Sequence, residues 1–148
     1  MYVIRAPGPN ALEVTFSGRV TSAEGLRAIS QAFALADAGS VRTALCDLSE
    51  VERGPGNYLE LAVALATRIR PGMRIAFVAG RGQRPFVRRL ARFSGIQQGL
   101  GLFERRTEAE RWLREAGAGT SSVRRRHYEE IARPRTPGTE QERRRGVA

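Results

Sequence analysis

Asp47, Glu50 and Glu52 place three carboxylates in one short stretch, with Ser49 among them. Paired carboxylates suggest acid–base chemistry, but that chemistry needs a second positioned group. No nucleophile or histidine stands near them in sequence, so solvated loop charges are the plainer reading. Asp47 and Ser49 follow an apolar strand at its C-terminal end, where the ligands of α/β units gather. The plainer role for Asp47 is to accept backbone N–H groups in the turn.

Downstream, Gly54-Pro55-Gly56-Asn57 could cradle an anion at a helix N-terminus, where backbone N–H groups are free. The stretch is not a Walker loop, which needs a lysine and a hydroxyl after its second glycine. Gly80-Arg81-Gly82-Gln83-Arg84-Pro85 starts like a dinucleotide fingerprint but carries proline where the third glycine belongs. The single cysteine, Cys46, leaves no internal disulfide and no cysteine zinc cluster, and it reads as a small buried hydrophobe. The one histidine, His127, lies far down the chain, away from other ligating residues. We expect no metal, no cofactor and no catalytic residue.

The most informative polar feature is a run of arginines. At 100° per residue, Arg84, Arg88, Arg89 and Arg92 fall within about 140° of one another on a helix. Phe86, Val87, Leu90 and Phe93 take the other side, and Arg81 lies in the loop before it. Five arginines without one acid form either a solvated face or a docking face for anionic lipid, nucleic acid or an acidic protein.

The elements that must position these residues follow from apolar spacing. Tyr2–Arg5 and Ala11–Phe16 read as strands joined by the turn chemistry of Pro7-Gly8-Pro9-Asn10. Thr21 and Glu24 form a capping box before a helix with Leu26, Ile29, Phe33 and Ala36 inward, ended by Gly39. Thr43–Leu48 is a buried strand, and Asn57–Ile69 a helix with Tyr58, Leu61, Leu65 and Ile69 inward. Met73–Ala79 is a further strand. Pro85 suits the first turn of the arginine helix, which Gly95 closes. Leu100–Phe103 is a short last strand. Thr107 and Glu110 make a second capping box, opening a helix with Ala109, Trp112, Leu113 and Ala116 inward. The order β-β-α-β-α-β-α-β-α predicts an α/β fold with a mostly parallel sheet and an N-terminal hairpin.

Composition bounds the rest. The 148 residues carry a formal charge of +10, and every basic residue is arginine. Such a surface favours anionic partners. The longest apolar run, Leu61–Ala66, is too short to span a bilayer, and no signal peptide is visible. Periodic apolar spacing stops at Gly117. We therefore expect a domain over 1–117, followed by a basic, disordered tail over 118–148. Cytoplasmic is the default location, with peripheral membrane association left open by the arginine face.

The order of elements resembles the STAS domain, the SpoIIAA-like fold of anti-sigma-factor antagonists. Asp47-Leu48-Ser49-Glu50-Val51 matches the family's strand ending in D-L-S-x-V before a turn and a helix. The closing stretch from Leu102-Phe103 through Ala109 to Trp112-Leu113 is similar to the branch described as STAS/SEC14-related. The resemblance covers Met1 to Gly117. It implies a five-stranded mixed sheet with about four flanking helices, and a non-enzymatic regulatory or protein-interaction role.

In sigma-regulating antagonists a serine at the N-terminus of the second helix is phosphorylated by the partner kinase. Here Pro55-Gly56-Asn57-Tyr58 stands there, without a hydroxyl. The resemblance thus places the partner or ligand site at Asp47, Ser49, Gly54, Gly56 and Asn57, without the usual phosphate acceptor. A second option, allowed by the SEC14 relation and by Phe86 and Phe93 beside the arginines, is a carrier or sensor of an apolar small molecule or lipid at anionic membranes. Weak nucleic-acid binding through the tail is a third, and no recognition motif supports it.

Overall fold

The protein is described by a computed structural model covering residues 1–35 and 40–115. Ala36, Gly39 and Ala116, expected to shape or end helices, lie outside the described residues. So do His127 and the basic segment 118–148.

A five-stranded sheet runs in the order β1-β2-β3-β4-β5. β1 (Tyr2–Gly8) and β2 (Ala11–Arg19) form the antiparallel hairpin, while β3 (Thr43–Arg53), β4 (Arg74–Val78) and β5 (Leu100–Phe103) continue parallel to β2. Both hairpin strands outrun their apolar stretches, so that Pro7 and Gly8 belong to β1.

Each parallel crossover steps to the next strand in the same direction. The right-handed rule therefore sends all three crossover helices to one face. These are α1 (Ser22–Leu35), α2 (Tyr58–Ala66) and α3 (Arg84–Ser94). The fourth helix, α4, spans 106–115 and follows the last strand onto the opposite face.

Side-chain alternation divides the core accordingly. Leu12, Phe16, Leu48, Ile75 and Phe77 pack under α1–α3 with Ala28, Phe33, Leu61, Leu65, Val87 and Leu90. Leu45, Ala76 and Val78 point the other way, towards Ala109 of α4, with Phe103, Trp112 and Leu113 packed around them. A strand covered on both faces needs apolar residues on both, which is why β4 is apolar and buried from Ile75 through Val78.

Local signals hold in part. The Thr21–Glu24 capping box is formed: Glu24 N donates to Thr21 Oγ1 at 3.2 Å, and Thr21 N donates to Glu24 Oε2 at 2.9 Å. The buried face of α1 is Gly25, Ala28, Ala32 and Phe33, with Leu26 and Ile29 only half-buried. A side chain at Gly25 would meet Leu61 Cδ2 at 2.7 Å, so glycine lets α1 approach α2 closely.

α2 ends at Ala66 rather than Ile69, because Thr67 caps it, donating its hydroxyl to Ala64 O at 2.9 Å. α3 ends as expected, at Gly95 with φ +73°. The second capping box does not form. Residue 106 is already helical, and Glu110 instead accepts from Arg106 Nε at 2.8 Å.

Candidate functional site

β3 is longer than expected and corrects the placement of Ser49. The strand continues through Ser49 and Glu50 to Arg53, so Asp47 stands mid-strand and Ser49 lies within the strand rather than after it. Beyond Asp47 the pairing of β3 with β2 shifts twice, from Thr15↔Asp47 to Ser17↔Glu50 and from Gly18↔Val51 to Arg19↔Arg53. Each shift adds one residue to β3, which is the signature of a bulge. The first bulge contains Leu48 and Ser49. It turns Ser49 back on Asp47, whose Oδ1 accepts the Ser49 N–H at 2.9 Å and its hydroxyl at 2.6 Å.

Asp47 is buried on the α4 face. Its second oxygen lies 3.7 Å from Arg106 Nη1. Arg106 also reaches Glu13 on β2 at 2.7 Å and Glu110 at 2.8 Å. Those bonds, to Glu13 first and then Glu110, raise the guanidinium above its ordinary pKa. Arg106 therefore gathers carboxylates from two strands and its own helix. Its i,i+4 spacing to Glu110 was visible in the sequence; its reach to Glu13 and Asp47 required knowing which strands lie side by side.

Chemically this cluster is a holding arrangement. The Ser49 hydroxyl donates to a carboxylate rather than to an imidazole. Glu50 and Glu52 are exposed along β3. Burial first, and then the neighbouring Asp47 carboxylate, push the Cys46 thiol up to about 12, so it stays protonated at neutral pH. Among the described residues no group of His, Cys, Asp and Glu could hold a metal ion.

The turn residues form a separate group. Gly54 and Pro55 are half-buried, while Gly56 and Asn57 are exposed. Asn57 is the N-cap of α2, its side chain accepting from Glu60 N at 3.5 Å. Its own N–H donates to Ser22 Oγ at 3.3 Å, so a hydroxyl does stand by this helix start, supplied by α1. A Cβ on Gly54 would meet Gln83 Oε1 at 3.0 Å, and Gln83 Nε2 donates to Val51 O at 3.2 Å. Sequence spacing gave no sign of Ser22 or Gln83. Among the described residues Asp47 and Ser49 share no bonding partner with Asn57, so the five expected site residues fall into two groups.

The arginine face is more varied than its helical wheel. Arg81, Arg88, Arg89 and Arg92 are exposed. Arg84 is half-buried and pairs with Glu104 at 3.3 Å. Arg89 sits over the Tyr58 ring of α2, 5.8 Å from its centre. Phe93, on the side of the helix opposite the arginines by spacing, is exposed, and its ring lies tilted 5.5 Å from that same ring. The tyrosine lies at the start of α2, so both contacts tie α3 to the exposed turn.

No protein-family model matches the chain, and no curated protein sequence matches it. Solved structures do. The unphosphorylated anti-sigma factor antagonist SpoIIAA is 14% identical, with a TM-score of 0.51 over 73% of this chain and 92% of its own. An anti-sigma factor antagonist from Mycobacterium paratuberculosis is 19% identical, with a TM-score of 0.51 over 77% and 93%. A DUF3478-family protein with a SpoIIAA-like fold, from Shewanella loihica, is 21% identical, with a TM-score of 0.53 over 76% and 93%. The chain therefore has the SpoIIAA-like fold of STAS domains. No helix among the described residues is long and apolar enough to cross a membrane.

Proposed function

We propose that the chain is a non-enzymatic STAS-like regulatory module that works by binding a protein partner and lacks the family's phosphate acceptor. The observation that carries this reading is the start of α2. Asn57 caps the helix with an amide, and Gly56 and Asn57 are exposed on a fold shared with anti-sigma factor antagonists. An amide caps a helix as well as a serine does, but it cannot accept phosphate. The turn then presents a constant surface, and binding is governed by the amounts of the two proteins.

The test is co-elution of the chain with a protein partner from an extract of its native host, compared with the Asn57→Arg form. Loss of the complex with the fold intact supports the reading. A complex indifferent to Asn57→Arg moves the interface elsewhere.

A second reading has an observation of its own. Between the sheet and α1–α3 lies an apolar cavity of about 110 Å³, bordered by Leu12, Phe16, Ile29 and Leu61, with Gly54 and Gln83 also on its wall. Apolar cavities of this order stay dry and admit small apolar molecules. A carrier or sensor of such a molecule would use it. Titration with a short alkanol, followed by methyl NMR, should shift Ile29 and Leu61 saturably. Unmoved methyls would remove this reading.

A further inference from the structure

β5 is the last strand of the sheet, and among the described residues no strand pairs with its outer edge. The Phe103 carbonyl points inward, accepting from Ala79 N at 3.0 Å. Backbone groups alternate along a strand, so the N–H and C=O of Leu102 point outward. Between this edge and α3 runs an open cleft of about 530 Å³. Leu100 and Leu102 line its strand side, and Arg84, Arg88 and Arg92 line its helix side.

We propose that this cleft takes up an extended acidic segment of a partner protein, which adds to β5 as a further strand and sets alternate carboxylates against Arg84, Arg88 and Arg92. The proposal rests on the interaction-module reading and names a surface and a partner chemistry for it. Spacing favours this occupant. Residues four apart on a helix rise by about 6 Å, and residues two apart on a strand by about 6.6 Å. Acidic residues at alternate positions of an added strand therefore keep step with the three arginines. Strand addition beside a helix is a recurrent way of binding peptides, with main-chain bonds giving affinity and alternate side chains giving selectivity.

The arginines are placed to receive it. Arg88 and Arg92 are exposed, and neither has an ion pair among the described residues. Among the described residues, Arg84 Nε is shielded from water without a hydrogen-bond partner, while its Nη2 pairs with the exposed Glu104. A flat anionic bilayer could meet the arginine tips, but it could not pair with the edge of β5. The chain's own residues 118–148 carry eight arginines against four acids, the wrong sign for this cleft.

The test uses the full chain and a labelled peptide of alternating Glu and Val. We expect binding that falls about tenfold with the double change Arg88→Gln and Arg92→Gln, which lies at exposed positions. N-methylation of the peptide at alternate backbone nitrogens should abolish binding, and the Leu102 amide should gain hydrogen-exchange protection. The proposal is overturned if the peptide does not bind, if the N-methylated form binds equally, or if vesicles of acidic phospholipid engage the arginines while the peptide does not. A native partner complex that survives Arg88→Gln and Arg92→Gln would also overturn it, while leaving the interaction-module reading standing. Absence of any partner complex would remove that wider reading, and peptide binding would still judge the cleft.

Discussion

Asp47 accepts both the backbone N–H and the hydroxyl of Ser49 through one oxygen, at 2.9 Å and 2.6 Å, inside a strand rather than after it. The bulge in β3 makes this contact, and Arg106 holds the other oxygen from α4. The aspartate of the D-L-S-x-V stretch thus joins β3 to the helix on the far face. Asp47→Ala should cost about 2–4 kcal/mol in urea unfolding, because it leaves Arg106 short of a partner and Ser49 without its acceptor. A loss below about 0.5 kcal/mol would mean that the bulge holds itself.

Trp112 is half-buried: its ring lies 5.5 Å from Phe103 and 4.9 Å from the guanidinium of Arg74. Truncation of a fully buried tryptophan costs about 3–5 kcal/mol, and partial exposure lowers this to about 2–3 kcal/mol for Trp112→Ala. Thermal or urea unfolding measures it. Native emission should lie between that of buried and fully exposed indole, and fully exposed emission would contradict the packing on Phe103.

Glu24 gives the first helix a pH signature. The Thr21 backbone N–H, foremost among its contacts, holds the Glu24 carboxyl below its ordinary value of 4.5. A lowered folded pKa adds stability above the unfolded value and loses it as pH falls through the folded one. Removing the charge with Glu24→Gln should therefore flatten the fall in stability below pH 4.5, measured by melting temperature against pH. An unchanged slope would show that the capping box does not couple to the proton.

Residues 1–117 should fold alone. The expectation rests on the loss of apolar periodicity after Gly117. A chain ending there should keep its cooperative melting transition and its melting temperature within a few degrees. Loss of cooperativity would place residues 118–148 within the folding unit.

Much of this fold could be read from spacing, and the misses share a cause. β4, α3 and β5 lie within a residue of their expected bounds, because covered strands and capped helices carry strong local patterns. β3 is longer than its apolar run because it pairs with β2 again from Glu50 to Arg53, beyond the end of β4, where exposed Glu50, Glu52 and Arg53 suffice. A helical wheel put Phe93 on the apolar side of α3, but it cannot tell which apolar neighbour lies there, the sheet or Tyr58. The Thr107–Glu110 box lost to Arg106, whose pull on Glu110 belongs to a network reaching β2 and β3. Asn57 as N-cap was legible because capping is local; Ser22 and Gln83 beside the turn were not, because they come from other crossovers.

The central claim is an unphosphorylated chain acting through a protein partner, and native mass spectrometry of the endogenous protein tests it directly. The account predicts a defined complex with a second protein, in which this chain has its unmodified mass. Stoichiometric phosphate on Ser22 or Ser49, or a chain found only alone, would contradict it.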